Sequence, residues 1–179
     1  MSSINIGSIT GSGTVVGDNN TVNNTIEIKP NIKRPYFTLE QEWKDTISRH
    51  NIPLVEALNN DDIDRFFEIV QQIFATLPYD AKVTEGYFHS HVHVILKTLG
   101  FKVYSEVETN LGRIDSVLET ASRIYIFEFK KDDAAIAIRQ ILKKKYYQQY
   151  QASDKEIVLV GIALDYAEKN ITNWKIARK

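Results

Sequence analysis

The stretch RIYIFEFK, residues 123–130, decides how the chain is read. It is dense in β-branched and aromatic residues and ends on a glutamate and a lysine two positions apart. Such a composition predicts a strand. Side chains alternate along a strand, so Glu128 and Lys130 share one face while Phe127, Phe129 and Lys131 take the other. Glu128 is hemmed in by Ile124, Tyr125, Ile126, Phe127 and Phe129. A carboxylate ionised in those surroundings needs a counter-ion or a metal. The plainer alternative is a pair of charges on a wet sheet face.

Working outward, RIDSVLE (113–119) follows an Asn110-Leu111-Gly112 turn and predicts a strand, as does the alternating FKVYSEV (101–107) before it. Residues 84–99 predict a helix with Phe88, Val92, Ile95, Leu96 and Leu99 on one side and Gly100 closing it. Downstream, a helix is expected over 133–150. A strand follows at 156–164, EIVLVGIAL, apolar enough to be buried on both faces, and a last strand is expected at 171–177. The order α-β-β-β-α-β predicts an α/β domain with a mixed sheet between helices.

Before this core (85–164), residues 36–80 predict a helical lead-in packed against it. A helix over 38–48 opens on a capping box of Thr38 and Gln41. A stronger one over 61–76 has an acidic first turn and is stopped by Pro78. Pro30 and Pro35 bracket a linker. Residues 1–29 are rich in Gly, Asn, Thr and Ser with isolated Ile and Val, which fits either a short β extension or a flexible arm. The expected organisation is that extension followed by one domain over 36–179.

The totals exclude several classes. With 179 residues, 43% hydrophobic and 25% charged, the chain has the composition of a globular protein. There is no cysteine, which removes disulfides, thiolate catalysis and Cys-ligated metals. The formal charge of −1 rules out a basic coat, so nucleic-acid binding must rest on a local patch, a metal site or a partner. No leader pattern and no membrane-length apolar run is evident, and a cytoplasmic location without membrane contact is expected. GSGTVVG lacks the Lys-Ser/Thr ending of a phosphate loop.

Asp115 lies in the strand beside the one that carries Glu128. Two carboxylates on neighbouring strands suit Mg²⁺ or Mn²⁺, and a nearby lysine can orient or deprotonate a water or offset charge on a phosphodiester. Arg113 is a candidate phosphate contact or a turn salt bridge. Lys130, Lys131, Arg139, Lys143, Lys144 and Lys145 form the one local basic cluster, suited to phosphate backbones or to a solvated helix face. His89 and His93 share a helix side, but no H-E-x-x-H pattern supports zinc. Tyr146, Tyr147 and Tyr150 could stack on bases, and more often such residues pack.

The blocks EGYFHSHVHVILKTLG, SEVETNLGRIDSVLET, IYIFEFKKD, AIAIRQILKKKYYQQY and IVLVGIALD occur in this order. They resemble the PD-(D/E)XK nuclease superfamily, and most of all the nuclease-like domain attached to bacterial AAA-type ATPases. The resemblance implies a restriction-endonuclease-like core with Asp115 and Glu128 as metal ligands and Lys130 as the catalytic lysine. It also implies that Gln140, near Tyr146, and Glu85, at the start of the first core helix, belong to the catalytic set. The implied cofactor is Mg²⁺ or Mn²⁺. The implied substrate is nucleic acid, DNA first with RNA open. No ATPase module is evident in the chain, so either the protein acts alone or its ATPase partner is a separate chain. The Gly/Asn-rich start loosely resembles extensions of bacterial defence proteins and suggests a homo-oligomer. The competing function is a non-catalytic nucleic-acid-binding, regulatory or assembly protein on the same scaffold.

Overall fold

Alternation along the strand Arg123–Lys131 sorts the molecule into two layers of helix around a sheet. The computed structural model describes residues 36–77 and 82–179, with side chains from Lys44 onward. The Gly/Asn-rich segment, the proline linker, the Thr38–Gln41 capping pair and Pro78 lie outside the described residues or side chains. Residues 37–179 group as one unit. In chain order the elements are α1 (Tyr36–Asn59), α2 (Ile63–Phe74), α3 (Glu85–Thr98), β1 (Lys102–Thr109), β2 (Gly112–Glu119), β3 (Arg123–Lys131), α4 (Ala134–Lys143), a 3₁₀ turn (Tyr146–Tyr150), β4 (Glu156–Asp165) and β5 (Asn170–Arg178). The strands form one mixed sheet in the order β1-β2-β3-β4-β5. Every neighbouring pair is antiparallel except β3 with β4, which run parallel and are joined by α4 as a crossover. This is an α/β fold consistent with a restriction-endonuclease-like core. No described helix is long and apolar enough to cross a membrane.

Tyr125, Phe127 and Phe129 of β3 join Val158, Val160, Ile162 and Leu164 of β4 in the larger core, with Phe66 and Phe67 of α2 and Phe88 of α3. Ile124 and Ile126 of β3, with Ile157 and Leu159 of β4, pack instead with Ile141 of α4 and Tyr146. The lead-in is tied to the sheet by a polar knot as well. The buried Tyr125 hydroxyl donates to Asp61 Oδ1 at 2.9 Å, and Asp61 Oδ2 meets Arg178 Nη2 at 2.7 Å.

Two elements differ from the sequence expectation. The helix starting at 38 does not end at 48; α1 runs through Pro53 to Asn59. Leu54, Ala57 and Leu58 continue the buried side begun by Ile47. Burying two leucines at about 1.5–3 kcal/mol each offsets the roughly 3 kcal/mol that an interior proline costs. The helix expected over 133–150 breaks, because α4 ends at Lys143 and Lys145 is left-handed at φ 51°. The break turns the Tyr146 ring into the core, where it is 2% exposed.

Gly161 of β4 lets α4 sit down on the sheet. A Cβ there would lie 2.8 Å from the Ile138 nitrogen and also against the Ala134 carbonyl oxygen, both backbone atoms. Gly161 is the β4 residue paired with Glu128. Gly161→Ala is therefore expected to lift α4 and to cost about 1–3 kcal/mol, the usual range for an overpacked core. Denaturant unfolding measures this, and an unchanged midpoint would show that α4 can yield without loss.

Candidate active site

Asp115 stands where both ladders around β2 are interrupted. The β2–β3 register runs from Glu119↔Ile124 to Ser116↔Phe127, and one further step would set Asp115 opposite Glu128. Instead the Phe129 N–H donates to Asp115 Oδ2 at 2.8 Å. On the other side, β1 pairs Ser105↔Ser116 and Val107↔Ile114 and skips Glu106, which has φ 56°. A left-handed glutamate within a strand costs roughly 1–2 kcal/mol. Strict alternation would put Ile114 and Val117 on opposite faces, yet both belong to the α4-side core. The chain is thus re-aimed at Asp115, as bulges beside functional sites do.

Glu128 is 1% exposed. Its Oε1 accepts from Lys130 Nζ at 2.7 Å and from Gln140 Nε2 of α4. Its Oε2 is buried without a hydrogen-bond partner. Lys130 Nζ also donates to the Phe129 carbonyl at 2.8 Å and lies 3.9 Å from Glu85 Oε1. Burial, reinforced by the Asp115 charge and opposed by Lys130, pushes the Glu128 carboxyl up to about 7. Burial also raises Asp115, against the pull of the Phe129 N–H and Lys130. For Lys130, burial acts to lower the pKa. The bond to Glu128 and the surrounding carboxylates outweigh it, and the net shift is upward.

Asp115, Glu128, Lys130, Gln140 and Glu85 are therefore linked by contacts or by mutual charge. The basic candidates are placed differently. Arg113 Nε pairs with Glu106, the salt bridge that was the alternative to a phosphate contact. Arg139 is exposed and 3.7 Å from Asp133. Lys143, Lys144 and Lys145 are exposed at the end of α4. Tyr146 packs in the α4-side core with its hydroxyl 3.5 Å from Gln140 Nε2, and Tyr147 and Tyr150 pack against that core.

The histidines separate. His93 bonds Ser105, and His91 Nδ1 meets the Tyr87 carbonyl at 2.7 Å. His89 Nδ1 lies 3.2 Å from Glu106 Oε1. Sequence reasoning passed over Glu106 and the His89–Glu106 pair. Nothing in SEVET marks Glu106, since its left-handed backbone and its partners arise only when β1 meets α3. Among the described residues, no three His, Cys, Asp or Glu side chains form a group that could hold a metal. Asp115 and Glu128 are two hard-oxygen donors, and Glu128 Oε2 is an unsatisfied buried one. That set fits Mg²⁺, which commonly takes one or two carboxylates and keeps waters for its other positions.

Residues 83–174, just over half of the chain, match the family model of the PD-(D/E)XK nuclease superfamily. The chain belongs to that superfamily. It is also similar to an uncharacterized protein in the vnfD 5′ region of Azotobacter chroococcum mcd 1, at 24% identity over 160 residues. That similarity covers 84% of this chain and 31% of the relative, so the chain spans about a third of that protein's length. No solved structure matches the chain.

The Glu128 shift has a sign that can be tested. Between its ordinary value of 4.5 and about 7, the folded carboxyl keeps a proton that the unfolded one has lost. Metal-free protein is therefore expected to lose stability as pH rises through this window, by on the order of 3 kcal/mol. Glu128→Gln should remove that part of the slope, as read by denaturant melts in EDTA from pH 4.5 to 8. An identical slope in the variant would mean that Glu128 ionises in the fold without cost.

Proposed function

We propose that the protein is a metal-dependent nuclease that hydrolyses phosphodiester bonds, with DNA as the first substrate class and RNA as the second. The observation that carries this reading is Glu128, a fully buried carboxylate with one oxygen unsatisfied, set beside Asp115 and bonded to Lys130. A purely structural glutamate would have both oxygens partnered. Asp115 and Glu128 would hold Mg²⁺ or Mn²⁺, which when bound lowers the pKa of a coordinated water and offsets charge on the phosphate.

The chain's own groups do the rest. Lys130, kept protonated by its carboxylate neighbours, aims a fixed ammonium at the charge that builds on the phosphoryl oxygens. Gln140 and the Lys130 ammonium together hold Glu128 Oε1, leaving Oε2 for the cation. Glu85 steadies Lys130 from the start of α3. Arg139, Lys143 and Lys144 offer exposed cations to backbone phosphates along α4, with Arg113 on the β1–β2 side. The reading extends to a cytoplasmic, self-associating protein, joined through residues 1–29, with an ATPase as a partner class.

The test is cleavage of single- and double-stranded DNA and RNA, linear and circular, in Mg²⁺ or Mn²⁺ with an EDTA control. Asp115→Ala and Glu128→Ala are expected to abolish both cleavage and Mn²⁺ binding by calorimetry. Lys130→Ala is expected to keep most of the Mn²⁺ binding while losing roughly 100-fold or more in rate. If no substrate is cut while Mn²⁺ binds, the non-catalytic binding reading replaces this one. Deleting residues 1–29 is expected to lower the mass measured by light scattering; an unchanged mass would remove the assembly role.

A further inference from the structure

Among the described residues, two buried side-chain polar atoms lack a hydrogen-bond partner, Glu128 Oε2 and His89 Nε2. His89 has 12% of its side chain exposed, and its ring centroid lies 5.6 Å from that of Phe129, between Glu128 and Lys130 in sequence. The backbone N–H of that same Phe129 is the one held by Asp115. His89 thus lies with Phe129 on the α3 face of the sheet, near enough to Asp115 for its charge to act on that carboxylate. Its other nitrogen is held by Glu106, the left-handed residue that stands opposite Asp115 on β1. With the Glu106 carboxylate 3.2 Å from Nδ1, the tautomer that carries its proton on Nδ1 leaves the lone pair on Nε2. An imidazole oriented in this way, with a bare and buried Nε2, is the arrangement of a proton acceptor.

We propose that His89 is a further catalytic residue, the base that takes the proton of the attacking water, and that Glu106 is its positioning residue. This deepens the nuclease reading and rests on it. As the water oxygen bonds to phosphorus, its proton passes to His89 Nε2. The bond from phosphorus to the leaving sugar oxygen breaks, and that oxygen departs with the electron pair and takes a proton from solvent. The imidazolium then returns its proton to solvent. Lys130 does not compete for this role, because its ammonium donates to Glu128 and to the Phe129 carbonyl. The left-handed Glu106 has a role in the same scheme: its backbone turn brings a carboxylate to both His89 and Arg113.

The experiment uses the full chain, Mn²⁺ and whichever DNA or RNA oligonucleotide the wild type cuts. His89→Ala and His89→Gln are expected to lower kcat by about 100-fold or more, the usual scale for a lost general base, with KM and Mn²⁺ affinity nearly unchanged. Added imidazole should restore part of the rate to His89→Ala and none to Asp115→Ala. Glu106→Gln should be slower than wild type, yet add little to the loss when combined with His89→Ala, because the two act as one unit. Circular dichroism checks the fold, and His89→Gln carries the result if the alanine variant unfolds. A rate within threefold of wild type in the His89 variants overturns the proposal and leaves the nuclease reading standing. So does a fall in Mn²⁺ affinity in step with the rate, which would make His89 a ligand, or a rate loss that imidazole does not rescue. A wild type that cuts nothing overturns both readings.

Discussion

Glu128 puts a carboxylate where the pattern of β3 calls for an apolar side chain, and much of the structure is arranged around satisfying half of it. Ile124 and Ile126, on the same face, are buried in the α4-side core. The next position in that series is Glu128, 1% exposed. Leaving a buried ion without partners costs several kcal/mol, so its neighbours are constrained. Lys130, two residues on, supplies a charge. Gln140 supplies an amide, which requires α4 to lie close to the sheet at that height. That closeness requires a residue without a side chain at Gly161, the direct β4 partner of Glu128. One buried carboxylate thus links β3, α4 and β4.

The second constraint is the gap beside it. A continuous antiparallel ladder between β2 and β3 would use the Phe129 N–H for backbone pairing. Here the Asp115 side chain takes that N–H, and its carboxylate is pinned next to Glu128. The cost is paid in interrupted pairing on two strands and in the left-handed Glu106. Such strain persists only where the surroundings over-determine it. The surroundings here are the larger aromatic core, with Tyr125 and Phe127 beneath the sheet and the Asp61 knot holding the lead-in to its far end. Rigid packing on one face allows an unsatisfied, like-charged pair on the other.

Membership of the PD-(D/E)XK superfamily covers the part of the chain that holds these features, residues 83–174. The helices α1 and α2 lie before the matched region, and they contribute Ile47, Leu54, Leu58 and the Phe66–Phe67 pair to the larger core. They therefore belong to the folding unit even though they carry none of the acidic site. Their role is to bury the apolar face of a sheet that would otherwise be exposed.

By itself, the sequence determined the sheet, its alternation and the pairing of Glu128 with Lys130, because a period of two places side chains without reference to anything distant. It also determined α2 and α3, whose apolar stripes and caps are local, and the family likeness that singled out Asp115 and Gln140. Local signals misled where long-range burial won: α1 crosses Pro53 to bury Leu54 and Leu58, and α4 stops early so that Tyr146 can turn inward. Only the tertiary structure decided that Arg113 pairs with Glu106, that His89, His91 and His93 part to three different partners, and that one oxygen of Glu128 has none. Those outcomes depend on which atoms meet across strands and helices distant in sequence, and hydrogen-bond satisfaction is settled only when the backbones have met.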